Sequence, residues 1–199
     1  MTILELIYRR RSIRRFQNIS IPFDHLQSIV DAARVAPSAS NIQPLEYIIV
    51  DDPGLVPVIF PLTNWAGYLP RDSGRPPAGK EPAAFIAVLV NREISSNWAS
   101  HDVGAAVENM ILTALEKGIG ACWIGSLNRI KIRHHLRIPQ QYDLDCLLAL
   151  GYPDEEPVIE ELSDSVKYYK DDAGTLHVPK RKLSAILHHN SFSERKGSA

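Results

Sequence analysis

Hydrophobic positions along this chain repeat at helical and at strand spacing in turn. Ile3, Leu6 and Ile7 share one face of a helix predicted over 2–11. A second helix is predicted after Pro22, whose fixed φ suits a first turn, with Leu26, Ile29, Val30 and Ala33 at helical intervals. It ends before Pro37, because the residue preceding a proline is pushed out of the α region. The run 46–50 is rich in β-branched and aromatic side chains and reads as a strand, and 84–90 is continuously apolar with the length of a buried strand. The clearest helix spans 100–117. There Val103, Ala106, Val107, Met110, Ile111, Ala114 and Leu115 follow the i, i+3, i+4 rule, and Gly118 supplies the stop. That stripe is wide enough for contact on more than one side, which fits a core or subunit-interface helix. Strands predicted over 119–124 and 144–150 enclose a short helix over 128–136, with Asn128 as its N-cap.

The stretch 51–82 breaks this rhythm. It holds seven of the 14 prolines, and NWAGYLPRDSGRPPAGKE over 64–81 is predicted to be a long loop or lid. From Tyr152 onward the chain is polar, apart from a short amphipathic piece around Leu183, Ile186 and Leu187. With no internal repeat or linker, a single domain is expected over 1–190, followed by a disordered tail over 191–199. Alternation of strands and helices by itself favours a parallel α/β sheet. Yet neither GxGxxG nor GxxxxGK[ST] follows any strand, so the usual phosphate-binding signatures of that class are absent.

Composition narrows the classes. At 199 residues, 45% hydrophobic and 23% charged, the chain has the make-up of a globular domain. A formal charge of −1 provides no global field toward nucleic acid or an anionic membrane. The longest apolar run, over 83–90, has eight residues, against the roughly 20 needed to span a bilayer. In MTILELIYRR the charges follow the apolar stretch, the wrong order for a secretory signal, and Cys122 and Cys146 are too few for a disulfide framework. A reducing cytoplasm is the expected compartment.

RRRSIRRF, over 9–16, is the most unusual chemistry. Five arginines in seven positions either lie solvated at a helix end or surround an anion. A serine among forked, charge-assisted donors suits a phosphate monoester. The loop PSASNIQP, over 37–44, sets Ser38, Ser40, Asn41 and Gln43 close together: either an ordinary turn cluster or a set of amides matching the edge of a heteroaromatic ring. GIGACWIGS, over 118–126, combines glycines with a strand end, and Cys122 there reads as a small buried hydrophobe. No metal site is expected: HExxH is missing, His134 and His135 are adjacent, as are His188 and His189, and neighbouring helical positions point apart. There is also no GxSxG and no evident carboxylate dyad, and 154–156 is expected in a solvated turn.

Taken in order, RRSIRRF after an N-terminal helix, PSASNIQP before the first strand, DVGAAVENMILTALEKGIGACWIGS in mid-chain and VPKRKLSAIL near the end resemble the FMN-dependent nitroreductase superfamily, over about 4–187. The resemblance implies an α+β sandwich, with a central, mainly antiparallel sheet flanked by helices, in place of the parallel sheet favoured by alternation. It implies a homodimer with FMN at the interface, and hydride passing from NAD(P)H through FMN to a small-molecule acceptor by a ping-pong mechanism. By the same resemblance, Arg10, Arg11 and Ser12 hold the phosphate and ribityl end, and Arg14 reaches the N1–C2=O side of the ring. Pro37, Ser38 and Ala39 pack on the flavin of the partner subunit, with Asn41 and Gln43 nearby. Trp123, Ile124 and Gly125 run along the ring near N5, and Arg181 closes on the phosphate, with Lys180 as a second candidate for that role. FMN then carries the chemistry, Arg14 tunes it, and no acid–base residue of the protein is required. Trp65, Tyr68 and Arg71 would form a substrate lid, although packing within the lid is an equal reading for Trp65.

Two other readings remain at this stage. The same superfamily includes reductive dehalogenases and a flavin-fragmenting enzyme. In a different class, RRRSIRRF would be a nucleic-acid contact on a non-enzymatic module, against which stand the near-neutral charge and the lack of interleaved aromatics.

Overall fold

The computed structural model describes residues 1–95 and 97–192, apart from the side chain of Arg71. The chain divides into two compact units, Met1–Glu156 and Pro157–Ala199.

In the first unit, β1 (Leu45–Val50), β2 (Ala84–Asn91), β3 (Gly120–Ile124) and β4 (Tyr142–Gly151) form one sheet in the order β1-β2-β4-β3, with every neighbouring pair antiparallel. This corrects the parallel sheet that alternation favours, and the topology shows why alternation misleads. β2 and β3 both run antiparallel to β4, so they are parallel to each other, joined through α5 (Ala99–Glu116). The chain does make one helical crossover between parallel strands, but β4, arriving last, inserts between them.

Both sheet faces are covered, which explains the continuous apolar run of β2. Ala84, Ile86 and Val88 pack with α2 (Phe23–Arg34) and α5, while Phe85, Ala87 and Leu89 pack with Ile13, Phe16, α3 (Val56–Ile59) and α6 (Arg129–His135). On α5 the predicted stripe is buried at Val103, Ala106, Val107, Met110, Ile111 and Ala114 and half-buried at Leu115. Asn109 Nδ2 donates to Ala32 O at 3.0 Å, tying α5 to α2. The Gly118 stop has φ +73°, and Asn128 accepts from the Lys131 N–H at the start of α6. α1 (Ile3–Arg9) buries only Leu6 and leaves Ile3, Leu4, Ile7 and Tyr8 exposed.

The proline-rich stretch begins with α3 and a 3₁₀ turn at Phe60–Leu62, with Thr63 bridging to Leu127, and the loop expected over 64–81 is irregular apart from the single turn of α4 (Arg71–Gly74). The second unit holds a small sheet in the order β5-β7-β6: β5 (Val158–Glu161) is parallel to β7 (Leu176–Lys180), and β6 (Tyr169–Lys170) is antiparallel to it. The amphipathic piece forms a 3₁₀ turn at Leu183–Ala185. Of the tail expected over 191–199, residues 193–199 lie outside the described residues. Among the described residues, no helix is long and apolar enough to cross a membrane.

Candidate functional site

Beyond Arg9 the backbone leaves the helix: Arg10 has φ −56° and ψ 120°. The segment that follows runs beside β3. Ser12 forms a parallel bridge with Ala121, and the Ile13 N–H donates to Ala121 O at 2.9 Å. Farther on, the N–H groups of Phe16 and Gln17 donate to Lys80 O and Tyr152 O, and the Asp154 N–H donates to Arg15 O. Two glycines permit this close approach. A Cβ on Gly120 would lie 2.8–3.0 Å from Ile13 side-chain atoms, and one on Gly151 would lie 2.7 Å from the Phe16 ring. Ile13 and Phe16 are buried, so they anchor the segment while the arginines between and before them remain partly accessible.

The arginines are crowded. Arg10 Nε lies 3.9 Å from Glu108 Oε1 on α5. Arg11 Nη2 donates to Tyr8 O at 2.8 Å, and Nη1 donates to Arg10 O. Partial burial, and then the charge of Arg10, hold the Arg11 guanidinium below its ordinary pKa. Crowded like charges of this kind are relieved by an anion. The Arg14 N–H donates to Glu155 Oε1 at 2.5 Å. Arg14 and Glu155 both act on the Cys122 thiol, which burial pushes up to about 11; Arg14 opposes the rise and Glu155 adds to it. Glu155 therefore belongs to this cluster and not to a solvated turn, while Asp154 pairs with Lys80 Nζ at 2.7 Å.

β3 continues to the next predicted residues. Trp123 is 43% exposed between buried Cys122 and Ile124. A Cβ on Gly125 would meet nothing within 4 Å. Arg129 fixes this strand end: Nη2 donates to Gly125 O at 3.1 Å and Asp145 O at 2.7 Å, and Nε donates to Leu144 O at 3.0 Å. Asp145 is the residue skipped where the β2–β4 register shifts, so Arg129 binds carbonyls at that bulge.

The loop over 37–43 attaches elsewhere, at the first turn of α5. Ser38 Oγ donates to Asp102 Oδ2 at 2.8 Å, and the Ala39 N–H donates to Oδ1 at 3.1 Å. The Gln43 N–H donates to Ser38 Oγ at 3.0 Å, and Gln43 Nε2 donates to Asn41 O at 3.2 Å. Ser40, Asn41 and Gln43 all have positive φ, at 51°, 55° and 54°. With Pro37 and Ser38, the loop borders a cleft of about 380 Å³ between α2, α5 and β1.

In the lid, Trp65 Nε1 donates to Thr63 Oγ1 at 2.8 Å, and its ring lies 5.9 Å from that of Phe60, which also carries Arg75 at 4.3 Å. Trp65 therefore packs within this stretch against Thr63 and Phe60. Tyr68 is exposed, and the Arg71 side chain lies outside what the structure describes. In the second unit Arg181 Nη2 donates to Ala185 O at 2.8 Å. Among the described residues, no group of three or more His, Cys, Asp and Glu could hold a metal ion.

The segment 10–14 and the strand carrying Trp123 are neighbours, and the loop over 37–43 is fastened to Asp102 on α5. Sequence reasoning missed Asp102, Glu155 and Arg129. Only Asp102 left a signal: it falls in one i+4 row with Ala106, Met110 and Ala114, a carboxylate on an otherwise apolar face.

The family model of the nitroreductase family matches residues 7–152. The chain belongs to the nitroreductase family. A protein of Archaeoglobus fulgidus provisionally named NADH dehydrogenase/NAD(P)H nitroreductase is 32% identical over 169 residues, 81% of this chain and 91% of the relative. An iodotyrosine deiodinase of Thermotoga neapolitana is 28% identical over 168 residues, 77% of this chain and 89% of the relative. Among solved structures, a provisionally named nitroreductase of Desulfovibrio desulfuricans in complex with FMN matches with a TM-score of 0.68 at 23% identity, over 97% of this chain and 99% of that one. The likeness establishes the nitroreductase fold. The family, with oxidoreductase-named relatives, makes the chain an oxidoreductase.

Proposed function

We propose that this protein is an FMN-dependent NAD(P)H oxidoreductase that reduces a small oxidised acceptor, a nitroaromatic, a quinone or a similar compound, by a ping-pong mechanism in a homodimer. The observation that carries the reading is the alignment of 10–14 along β3: cations for a phosphate lie beside the strand that ends in an exposed tryptophan and an open glycine. The donor set fits the cofactor. Arg10, Arg11 and Ser12 supply forked cationic donors and a hydroxyl for the phosphate end. Trp123, Ile124 and Gly125 offer a flat surface and room for close approach to the ring. The partner subunit's loop, through Pro37, Ser38 and Ala39 with Asn41 and Gln43, would cover the other side. FMN, when bound, supplies the hydride chemistry, exchanging two electrons and a proton with one substrate and then the other. Arg14 favours negative charge at the N1–C2=O edge and so raises the flavin potential. The exposed apolar side chains of α1 support a subunit interface.

An absorbance spectrum of the purified protein, followed by anaerobic titration with NADH and NADPH, tests the reading. The expected result is a flavin spectrum bleached by one equivalent of reductant. A colourless protein unable to take up FMN overturns it. A second reading, reductive dehalogenation, is favoured by the deiodinase relative. Turnover of a halogenated phenol faster than a nitroarene would select it.

A further inference from the structure

Asp102 is one of two polar residues buried among the described residues, at 5% exposure, and nothing in the proposed chemistry uses it. Its place in the first turn of α5 stabilises a negative side chain through the helix dipole. Both of its oxygens are engaged by a single loop, Oδ2 by the Ser38 hydroxyl and Oδ1 by the Ala39 N–H.

A carboxylate can only accept, so the Ser38 proton must point at Asp102. That leaves the Ser38 lone pairs free for the Gln43 N–H, 3.0 Å away. The relay Gln43→Ser38→Asp102 therefore has one direction, and it closes a loop in which Ser40, Asn41 and Gln43 all have left-handed backbones. Such conformations persist only where surrounding bonds over-determine them. Bonds internal to the loop, Asn41 N–H to Ser38 O and Ile42 N–H to Ala39 O, close its turn, and the bonds of Ser38 and Ala39 to Asp102 tie that turn to α5.

We infer that Asp102 is the positioning residue of this site: it locks the loop over 37–43 in its left-handed form and so sets the surface presented to the flavin across the subunit interface. The inference rests on the FMN reading above. It goes beyond that reading by assigning the shape of the loop, and with it the fit of the cofactor, to a side chain that need not touch the flavin.

Asp102→Asn is the sharpest test, because it keeps volume and removes direction. An amide at this position either sets an N–H group against the Ala39 N–H or, keeping its oxygen there, turns its NH2 to Ser38, which must then reverse its hydroxyl from donor to acceptor and so lose its bond to residue 102 as a donor. Asp102→Asn and Ser38→Ala are compared with the parent protein by three measurements: amide hydrogen exchange over 37–43 without flavin, FMN dissociation constant, and visible circular dichroism of bound FMN. Far-UV circular dichroism and the thermal midpoint report on the fold. The expected result for Asp102→Asn is a retained fold, at least about tenfold faster exchange confined to the loop, about tenfold or more weaker FMN binding, and an altered flavin dichroism. Ser38→Ala gives the same changes at smaller size. The two substitutions combined give less than the sum of the two, because they break one relay.

Parent protein that binds FMN, with Asp102→Asn binding it equally well and with the same dichroism, overturns the role of Asp102 alone. Parent protein that takes up no FMN overturns the cofactor reading and this inference with it. If Asp102→Asn does not fold, Ser38→Ala decides: unchanged loop exchange and unchanged FMN affinity in that variant overturn the inference.

Discussion

Gly120 and Gly151 hold their positions because a side chain there would occupy space already taken by Ile13 and Phe16. Gly151→Ala forces the buried Phe16 ring outward, and overpacking of this kind costs about 1–3 kcal/mol. The expected result is a thermal midpoint lower by several degrees, together with weaker FMN retention, since Phe16 anchors the segment bearing the arginines. Arg14 acts on a different quantity. Arg14→Ala should lower the flavin midpoint potential by tens of millivolts, about 30 mV for each 1.4 kcal/mol in a two-electron couple, as measured by equilibration with a reference dye. A potential equal to that of the parent would remove Arg14 from the flavin's vicinity. The arginine cluster was legible in the sequence because its composition is so unusual. Glu155 was not, because nothing in GYPDEEP marks a carboxylate that meets a backbone N–H over a hundred residues earlier.

Among the elements, α5 was read almost to the residue, since eighteen residues of regular apolar spacing leave little room for another period. The small sheet of the second unit was not read at all. Its strands are short and mostly polar, and their pairing depends on side chains distant in sequence. His177 on β7 illustrates this: Nδ1 lies 3.0 Å from Glu160 Oε2 on β5, Nε2 lies 3.2 Å from Asp171 Oδ2, and the ring stacks on Tyr169 of β6. Hydrogen bonds to Asp171 and then Glu160 raise the His177 pKa above 6.5, and His177 lowers that of Asp171 below 3.8. A raised histidine stabilises fully below its unfolded value and loses that contribution as pH rises through the folded one. A lowered aspartate contributes fully above its unfolded value and loses that contribution as pH falls through its folded one. Protection of the β7 amides should therefore be greatest between about pH 4 and 6.5 and decline above that range. His177→Gln should flatten the decline, as measured by hydrogen-exchange protection factors across pH 5–9.

For the whole molecule, the open question posed by the surface is what covers α1. Leu4 is 61% exposed, in a row with exposed Ile3, Ile7 and Tyr8, an apolar surface that water does not favour. On the proposed FMN-bound homodimer, Leu4→Asp combined with Ile7→Asp should give a monomer in sedimentation velocity and release the flavin. An unchanged sedimentation coefficient would move the interface elsewhere. The sequence by itself determined which segments are helix and which are strand wherever the apolar period ran long enough, and it marked the arginines and the amide-rich loop as chemistry, because local spacing and composition carry that information. The tertiary structure decided the direction of β4, the seat of the arginine segment against two glycines, and the burial of Asp102 beneath the loop over 37–43. Each of these is a contact between stretches far apart in the chain, and such a contact is selected by which surfaces can be packed together without voids or unpaired donors, a condition no local pattern contains.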